Sequence, residues 1–398
     1  MKIHIVGTAE EAILLGWRSL SYGMGVEYSP EWLLAEQGRI SREEFYVLVH
    51  DGRKNPIAGA HCMALRPGAT HTTYLPREVL LGGNTERLIE SLDDLEARRS
   101  GLEELAVLRE SSGWPNGSVL AVAIPGSTQP GVLLRDGLPS SELTAAKEMV
   151  VNAVEVVAKM AEVETVYFAN IRADQKTDLH GILKTRGYIG GISAYDAVLD
   201  VCYGSLADYF SSFNGHRARS FRREWRTTCK DVELSWHDSD GLTDDLIPLQ
   251  LDYYTKYGHI SGAETVADRF DRLRGIPGIK VIRADSHMDV IGYACCILDS
   301  HMGRLVPRMG AFPGHNFSYF GIAYYALIER AIEMRVSVIH YGTEAYEAKW
   351  RRGCRLEPLS GYIGPVCDEA NLLRRAILLK QLALCTTRAA AVRHDRAA

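Results

Sequence analysis

Short apolar runs alternate along the chain with longer segments whose apolar positions recur every three or four residues. Unbroken apolar runs of four to eight residues read as strands buried on both faces, and the 3.6-residue period reads as amphipathic helix. In the first half, residues 2–6 predict a strand and 9–22 a helix. Phe45–His50 and Ile57–Leu65, separated by a polar loop that begins Asp51-Gly52, predict a β-hairpin. Residues 86–112 read as helix and loop, and Ser118–Ile124 as a buried strand. The stretch 126–137, with its Pro, Ser and Gly, reads as loop, and 141–162 as helix. Thr165–Ala169 is a second buried strand, 177–186 a short helix stopped by Gly187, and Ala197–Val201 a closing strand.

The second half repeats this rhythm. A basic helix covers about 205–230, followed by a strand at Val232–Trp236 and helices near 243–257 and 265–274. Ile279–Arg283, Val290–Leu298 and Arg304–Phe312 predict three strands, the first two joined through the polar stretch Asp285–Asp289. From Gly321 to Arg335 the apolar positions Tyr324, Leu327, Ile328, Ala331 and Ile332 mark one buried helical stripe. A strand at Val336–His340, a short helix near 344–352, a strand at Arg355–Ile363 and a helix over 368–390 follow. A meander of strands followed by helix, strand, helix, strand in each half predicts an α/β chain with mixed sheets. Its 398 residues exceed the roughly 250–300 at which one core stops growing, so two domains are expected, 1–203 and 204–398.

Composition narrows the class. The chain is 46% hydrophobic and 24% charged with a net charge of −5, which excludes a disordered or fibrous protein and a wholly basic nucleic-acid binder. Eight cysteines form no CxxC pair, so we expect reduced, mostly buried thiols in a cytoplasmic protein with no structural metal. No apolar run reaches about 18 residues, so no membrane span is expected. P-loop, GxSxG, HExxH, EF-hand and Rossmann signatures are lacking.

Charge is unevenly spread. Arg217, Arg219, Arg222, Arg223, Arg226 and Lys230 put six cations into fourteen residues. Such a helix suits phosphates, which guanidinium forks bind bidentately. It equally suits docking against acids of the first half, such as Glu90, Asp93, Asp94 and Glu96. On a helix over 344–352, Lys349 and Arg352 share a face with Tyr346 and Trp350 close by. Those cations suit a donor phosphate or the charge that grows on a carbonyl oxygen during acyl transfer. Glu347 and Arg351, an i,i+4 pair, read as an ordinary solvated face. The loop 313–319 lies where a strand feeds a helix, a usual ligand position, and offers His315 as a base with Asn316 and Tyr319 as donors. Arg308 sits in an otherwise apolar strand, Glu344 follows a strand and is placed to accept a proton, and His340 reads as a core histidine. In the first half, Asp174, Lys176 and His180 are weaker cleft candidates.

Three stretches resemble the FemAB-type acyltransferases of the GNAT superfamily: Gly215–Glu224, the strand–helix–strand from Arg304 to His340, and Gly342–Gly353. The last matches that family's Glu-x-Lys-x-x-Arg-Gly segment at Glu347, Lys349, Arg352 and Gly353. Over 1–200 only the order of elements is similar. The resemblance implies two tandem GNAT-like domains and transfer of an amino acid from aminoacyl-tRNA to an amine or hydroxyl. The pyrophosphate loop of the acetyl-CoA branch has no equivalent at Phe312–Gly321, where a proline and aromatics stand. The resemblance therefore implies tRNA as donor and no cofactor, with acyl-CoA as the alternative. It lacks the long helical arm of cell-wall ligases, which favours a small-molecule acceptor of natural-product (antibiotic) biosynthesis. A non-catalytic binding module on the same fold is the third reading.

Overall fold

The computed structural model describes residues 1–69, 71–111, 114, 117–173, 179–230, 232–256, 261–286, 289–312, 318–364 and 370–396. Thirteen strands follow in chain order: β1 (Lys2–Val6), β2 (Glu43–His50), β3 (Pro56–Leu65), β4 (Val119–Val122), β5 (Val132–Leu134), β6 (Thr165–Ile171), β7 (Ile189–Asp200), β8 (Glu233–Asp238), β9 (Ile279–Ser286), β10 (Asp289–Asp299), β11 (Arg304–Ala311), β12 (Val338–His340) and β13 (Arg355–Gly364).

The chain forms two compact units, and the division is not the single cut expected near residue 203. Unit 1 comprises Met1–Tyr22, Glu27–Ala197 and everything described from Thr343 onward; unit 2 comprises Gly23–Val26 and Val198–Gly342. The correction comes from β13, which pairs antiparallel with β6 (Ile363↔Tyr167, Tyr362↔Phe168) and so carries the C-terminal segment into unit 1. A strand's pairing is invisible in its own hydrophobic pattern. Gly23–Val26 belongs to unit 2 because the Val26 N–H donates to the buried Asp299 carboxylate (3.3 Å), which also pairs with Arg304 (3.4 Å).

In unit 1 the strand order is β1-β2-β3-β4-β6-β13-β7, with β5 against β3. β5 lies in the stretch read as loop; three residues between Pro- and Gly-rich neighbours give too little pattern to see. Both sheet faces are covered. Tyr167 and Ala169 of β6 pack with Leu105, Leu108 and the C-terminal helix on one side, while Val166 and Phe168 pack against the Ser140–Met160 helix on the other. This two-sided burial is why β4 and β6 read as continuous apolar runs. The helix expected over 9–22 breaks at Gly16, whose φ of +104° puts a hypothetical Cβ 3.0 Å from Pro56 Cγ.

In unit 2 the order is the end of β7, then β12-β11-β10-β9-β8. The Ala263–Arg274 helix covers the sheet through Phe270, whose ring meets Tyr293 of β10 edge-on at 6.0 Å. Each unit contains a parallel pair joined by a helical crossover: β4 with β6, and β11 with β12. Such pairs open a crevice at their carboxyl ends. Among the described residues no helix is long and apolar enough to cross a membrane. Cys62, Cys295, Cys296 and Cys354 are buried thiols, whereas Cys202, Cys229 and Cys385 are exposed.

Candidate functional site

Unit 2 has its crevice where its two parallel strands part. β11 and β12 pair only at Arg304↔Val338 and Leu305↔Ile339, and β11 runs on to Ala311 after β12 ends at His340. Two irregularities flank this divergence. Cys295 of β10 faces Met309, yet its neighbour Cys296 faces Pro307, so Arg308 is the extra residue of a β-bulge. Bulges re-aim side chains and concentrate near active sites. The crossover helix is wound as a π-helix over Gly321–Ala326, another feature common at functional sites. Aromatic rings line this region. Tyr319 stands edge-on to Phe312 (5.2 Å) and to Tyr324 (5.6 Å), and Tyr324 stacks on Tyr341 at 4.6 Å. Tyr319 and Phe312 are half-buried, while Tyr324 is 1% exposed. The sequence candidates Arg308 and Tyr319 both belong to unit 2 and are half-buried. His315 and Asn316 lie outside the described residues.

The basic helix Gly215–Thr228 packs on the π-helix. The Glu224 carboxylate is buried and accepts from the hydroxyls of Tyr325 and Ser220 (3.3 Å to the latter). Close approach is enforced at Gly321, where a Cβ would fall 2.2 Å from Thr228 Cγ2. Gly321→Ala is therefore expected to destabilise unit 2 by about 1–3 kcal/mol, the usual effect of overpacking, and a urea midpoint will read it. With Ala218, Phe221 and Glu224 turned inward, Arg219, Arg223 and Arg226 are exposed and Arg217 and Arg222 half-buried. Arg222 donates to the Ser211 hydroxyl (2.7 Å) and Arg217 lies over the Phe213 ring (5.9 Å). Among the described residues Arg219 and Arg226 form no ion pair.

Unit 1 contains the segment with Lys349 and Arg352, so the expectation that both belong to a second domain from 204 onward is corrected. Their setting differs too. Lys349 is 6% and Arg352 5% exposed, with Lys349 Nζ donating to the Thr343 carbonyl (2.7 Å) and Arg352 Nη1 to the Ala348 carbonyl (3.1 Å). Two buried cations bonded to backbone do not form a solvent-facing phosphate clamp. Tyr346 and Trp350 are core residues, and Tyr346 Oη accepts the Tyr195 N–H (2.9 Å). The Glu347–Arg351 pair forms on the solvated face (2.6 Å), as its spacing predicts.

Burial pushes the Lys349 ammonium down to about 8, while Cys354, Asp196 and Glu344 pull the other way. Glu344 is exposed and, with Ala345, holds a left-handed backbone (φ +68° and +45°), conformations that non-glycine residues adopt at a cost of about 1 kcal/mol or more each. Three further charges that the sequence reading missed sit in this unit. Asp196 is fully buried and pairs with Arg172 (2.7 Å), which also pairs with Glu357 (3.0 Å). The available signal was an acid inside the apolar run Tyr195–Leu199.

The crevice at the carboxyl ends of β4 and β6 is filled by the protein itself. Trp32 Nε1 donates to the Pro125 carbonyl (3.0 Å), Tyr28 Oη to that of Pro130 (3.0 Å), and Tyr74 Oη accepts the Gly126 N–H (2.8 Å). Among the earlier candidates there, His180 shares a 2.6 Å hydrogen bond with Tyr362 Oη, and Asp174 and Lys176 lie outside the described residues.

A family model for FemAB-like proteins, described as peptidoglycan biosynthesis/recognition, matches residues 120–362. The chain belongs to the FemAB-like family. Among solved structures, FemX is similar over 91% of this chain and 97% of its own, at 10% identity and a TM-score of 0.55. A tandem GNAT protein from the clavulanic acid biosynthesis pathway covers 92% and 100%, at 11% identity and 0.47. The C-terminal domain of a lysylphosphatidylglycerol synthetase from Agrobacterium fabrum covers 62% and 80%, at 10% and 0.44. No curated protein matches the sequence. The FemX match shows the fold: this FemAB-like chain is a mixed α/β protein, the class its sequence rhythm predicts. Of the motif that signalled the family, Lys349 and Arg352 lie inside the protein rather than on its surface.

Proposed function

We propose that this FemAB-like protein moves an amino acid from aminoacyl-tRNA to an amine or hydroxyl of a small acceptor. The exposed row Arg219, Arg223 and Arg226 carries the reading, because it gives an acidic chain one outward cationic face suited to an RNA backbone. The ester linking amino acid and ribose is already activated. Attack by the acceptor nitrogen or oxygen on the ester carbonyl forms a tetrahedral oxyanion; collapse breaks the bond to the ribose oxygen, which takes up the proton the acceptor loses and leaves as a hydroxyl. Lys349 is the cation we assign to that developing charge, since a desolvated ammonium stabilises an oxyanion far better than a solvated one. Charged tRNA places the reaction in the cytoplasm, and a natural-product acceptor is the finer proposal.

The test is transfer of a labelled amino acid from a mixture of charged tRNAs to amine and hydroxyl acceptors. Donor pretreated with ribonuclease must fail; equal transfer from it rejects the tRNA reading, and consumption of acyl-CoA instead replaces it. Arg219→Glu and Arg226→Glu are each expected to flatten the slope of log affinity against log salt by about 1, as loss of one phosphate contact does. Filter binding from 50 to 300 mM salt reads the slope.

A further inference from the structure

The basic helix Gly215–Thr228 carries different chemistry on its two sides. His216, Arg219, Arg223 and Arg226 recur at spacings of three and four, so they form one outward stripe, and all four are exposed. Glu224 is the sole acid of this helix and belongs to its inward face, 8% exposed. Its carboxylate accepts the hydroxyl of Tyr325, a fully buried residue of the π-helix. Three rings seal that contact, Phe210 (5.2 Å), Phe221 (5.9 Å) and Trp225 (6.2 Å) from the Tyr325 ring. At the start of the same π-helix, Thr228 meets Gly321 with no room for a methyl group between them.

The neighbouring residue on the π-helix makes a different set of contacts. Tyr324 stacks on Tyr341 with their planes 21° apart, and its hydroxyl lies 3.4 Å from that of Tyr319. Tyr341 directly follows β12, and Tyr319 packs on Phe312 directly after β11, so Tyr324 touches the rims of both strands that open the crevice. Tyr325 and Tyr324, one peptide apart, thus join the basic helix to the crevice. A π-turn is a rare winding whose alternative is the ordinary α-turn, and packed elements of this kind switch between discrete arrangements rather than bend. Charge supplies a bias between them. Without a polyanion, the guanidiniums of Arg223 and Arg226 attract the Glu224 carboxylate through space, and the like charges of the stripe repel one another along the helix. A polyanion on the stripe cancels both effects, and the buried carboxylate then depends on its hydroxyl donors, Tyr325 and Ser220. Docking therefore acts differently on the two arrangements, which is the condition for a ligand to shift them.

We propose that the π-helix couples the cationic stripe to the crevice: an RNA backbone docked on the stripe tightens the contact between Glu224 and Tyr325 and so sets the position of Tyr324 between Tyr319 and Tyr341. Glu224 and Tyr325 are positioning residues that act through Tyr324. The coupling rests on the reading above for what occupies the stripe.

The experiment uses the full chain and a short oligouridylate, an RNA backbone that carries no amino acid. Salt-dependent affinity reports docking on the stripe, and hydrogen exchange of the Gly321–Ala326 amides reports the π-helix. At saturation those amides are expected to exchange about tenfold more slowly in the wild type, within the usual range of coupling between sites. Amides of the Ala263–Arg274 helix, in the same unit, control for general stabilisation and are expected to stay unchanged. Tyr325→Phe removes the hydroxyl and keeps the ring, so the oligonucleotide is expected to bind with wild-type affinity while most of the slowing is lost. Glu224→Gln keeps an acceptor but loses the charge that feels the polyanion; it too is expected to lose the slowing, and it decides the matter if Tyr325→Phe does not fold. Binding with unchanged exchange at 321–326, equal slowing in the control helix, or full slowing in either variant overturns the coupling and leaves the RNA reading in place. Failure of the oligonucleotide to bind removes the RNA reading, and the coupling with it.

Discussion

Replacing Lys349 with Met is expected to lower turnover by about 10²–10³-fold, the usual effect of removing one preorganised oxyanion donor, while the chain stays folded. The two effects separate because of where the ammonium sits. At 6% exposure it has lost most of its hydration, and its hydrogen bond to the Thr343 carbonyl replaces only part of it. A thioether of similar volume needs no such compensation, so stability is expected to hold or rise. The protonated form is the one that stabilises negative charge. Burial sets its pKa at about 8, so transfer should fall as pH rises through 8, and Lys349→Met should erase that limb from what activity remains. Steady-state transfer from charged tRNA between pH 6.5 and 9.5 checks both points. Activity within twofold of wild type in Lys349→Met would remove this residue from the chemistry.

The second large effect concerns stability alone. Lys380 is 2% exposed in the C-terminal helix, and its ammonium donates to Thr85 Oγ1 (2.9 Å). Burial pushes it down to about 8, with Glu344 acting in the opposite direction. The unfolded chain holds this proton up to about pH 10.5, whereas the folded chain releases it near 8. Between those values the unfolded state binds more protons, so stability rises with pH. Below pH 8 the full penalty is present, about 3 kcal/mol for a shift of this size. Lys349 adds a similar rise over the same window. Lys380→Met is expected to stabilise the protein at pH 7 by about 1–3 kcal/mol and to halve the gain between pH 8 and 10. Thr85 keeps a partner in the Val79 carbonyl (3.5 Å). Urea midpoints at pH 7 and 9.5 measure it, and an unchanged slope would show that this lysine is hydrated in solution.

The contrast between what the pattern foretold and what it did not has a physical origin. β4, β6 and β10 announced themselves because burial on both faces requires unbroken apolar runs. β7 runs from Ile189, well before the Ala197 start that the pattern gave, because Gly190 and Gly191 have no side chains to reveal a strand. Gly190 is required there, since a Cβ would lie 2.2 Å from the Tyr362 ring. For the candidate sites, residue type was legible and setting was not. Arg308 was conspicuous as a cation in an apolar strand, but the bulge that aims it depends on registration against β10. Arg269 reads as solvated surface, an arginine in a helix with five other charged residues, until its spacing to Val266 and Leu273 is considered. Lys349 stood out by motif, but its burial at 6% exposure could not be read from its own helical spacing, which placed it on a shared cationic face with Arg352.

The return of the C-terminal segment to unit 1 bears on how the protein is made. β6 emerges early from the ribosome, but its partner β13 is about 180 residues behind it, which at typical elongation rates is roughly ten to forty seconds. Throughout that interval a strand bearing Val166 and Phe168 has one unsatisfied edge, a template for pairing with any nascent chain nearby. Unit 2, continuous apart from four residues, can condense meanwhile. Synthesis halted at Gly342 should therefore leave a soluble second half attached to an adhesive first one, and shielding by a chaperone over those seconds is what the gene's expression will depend on.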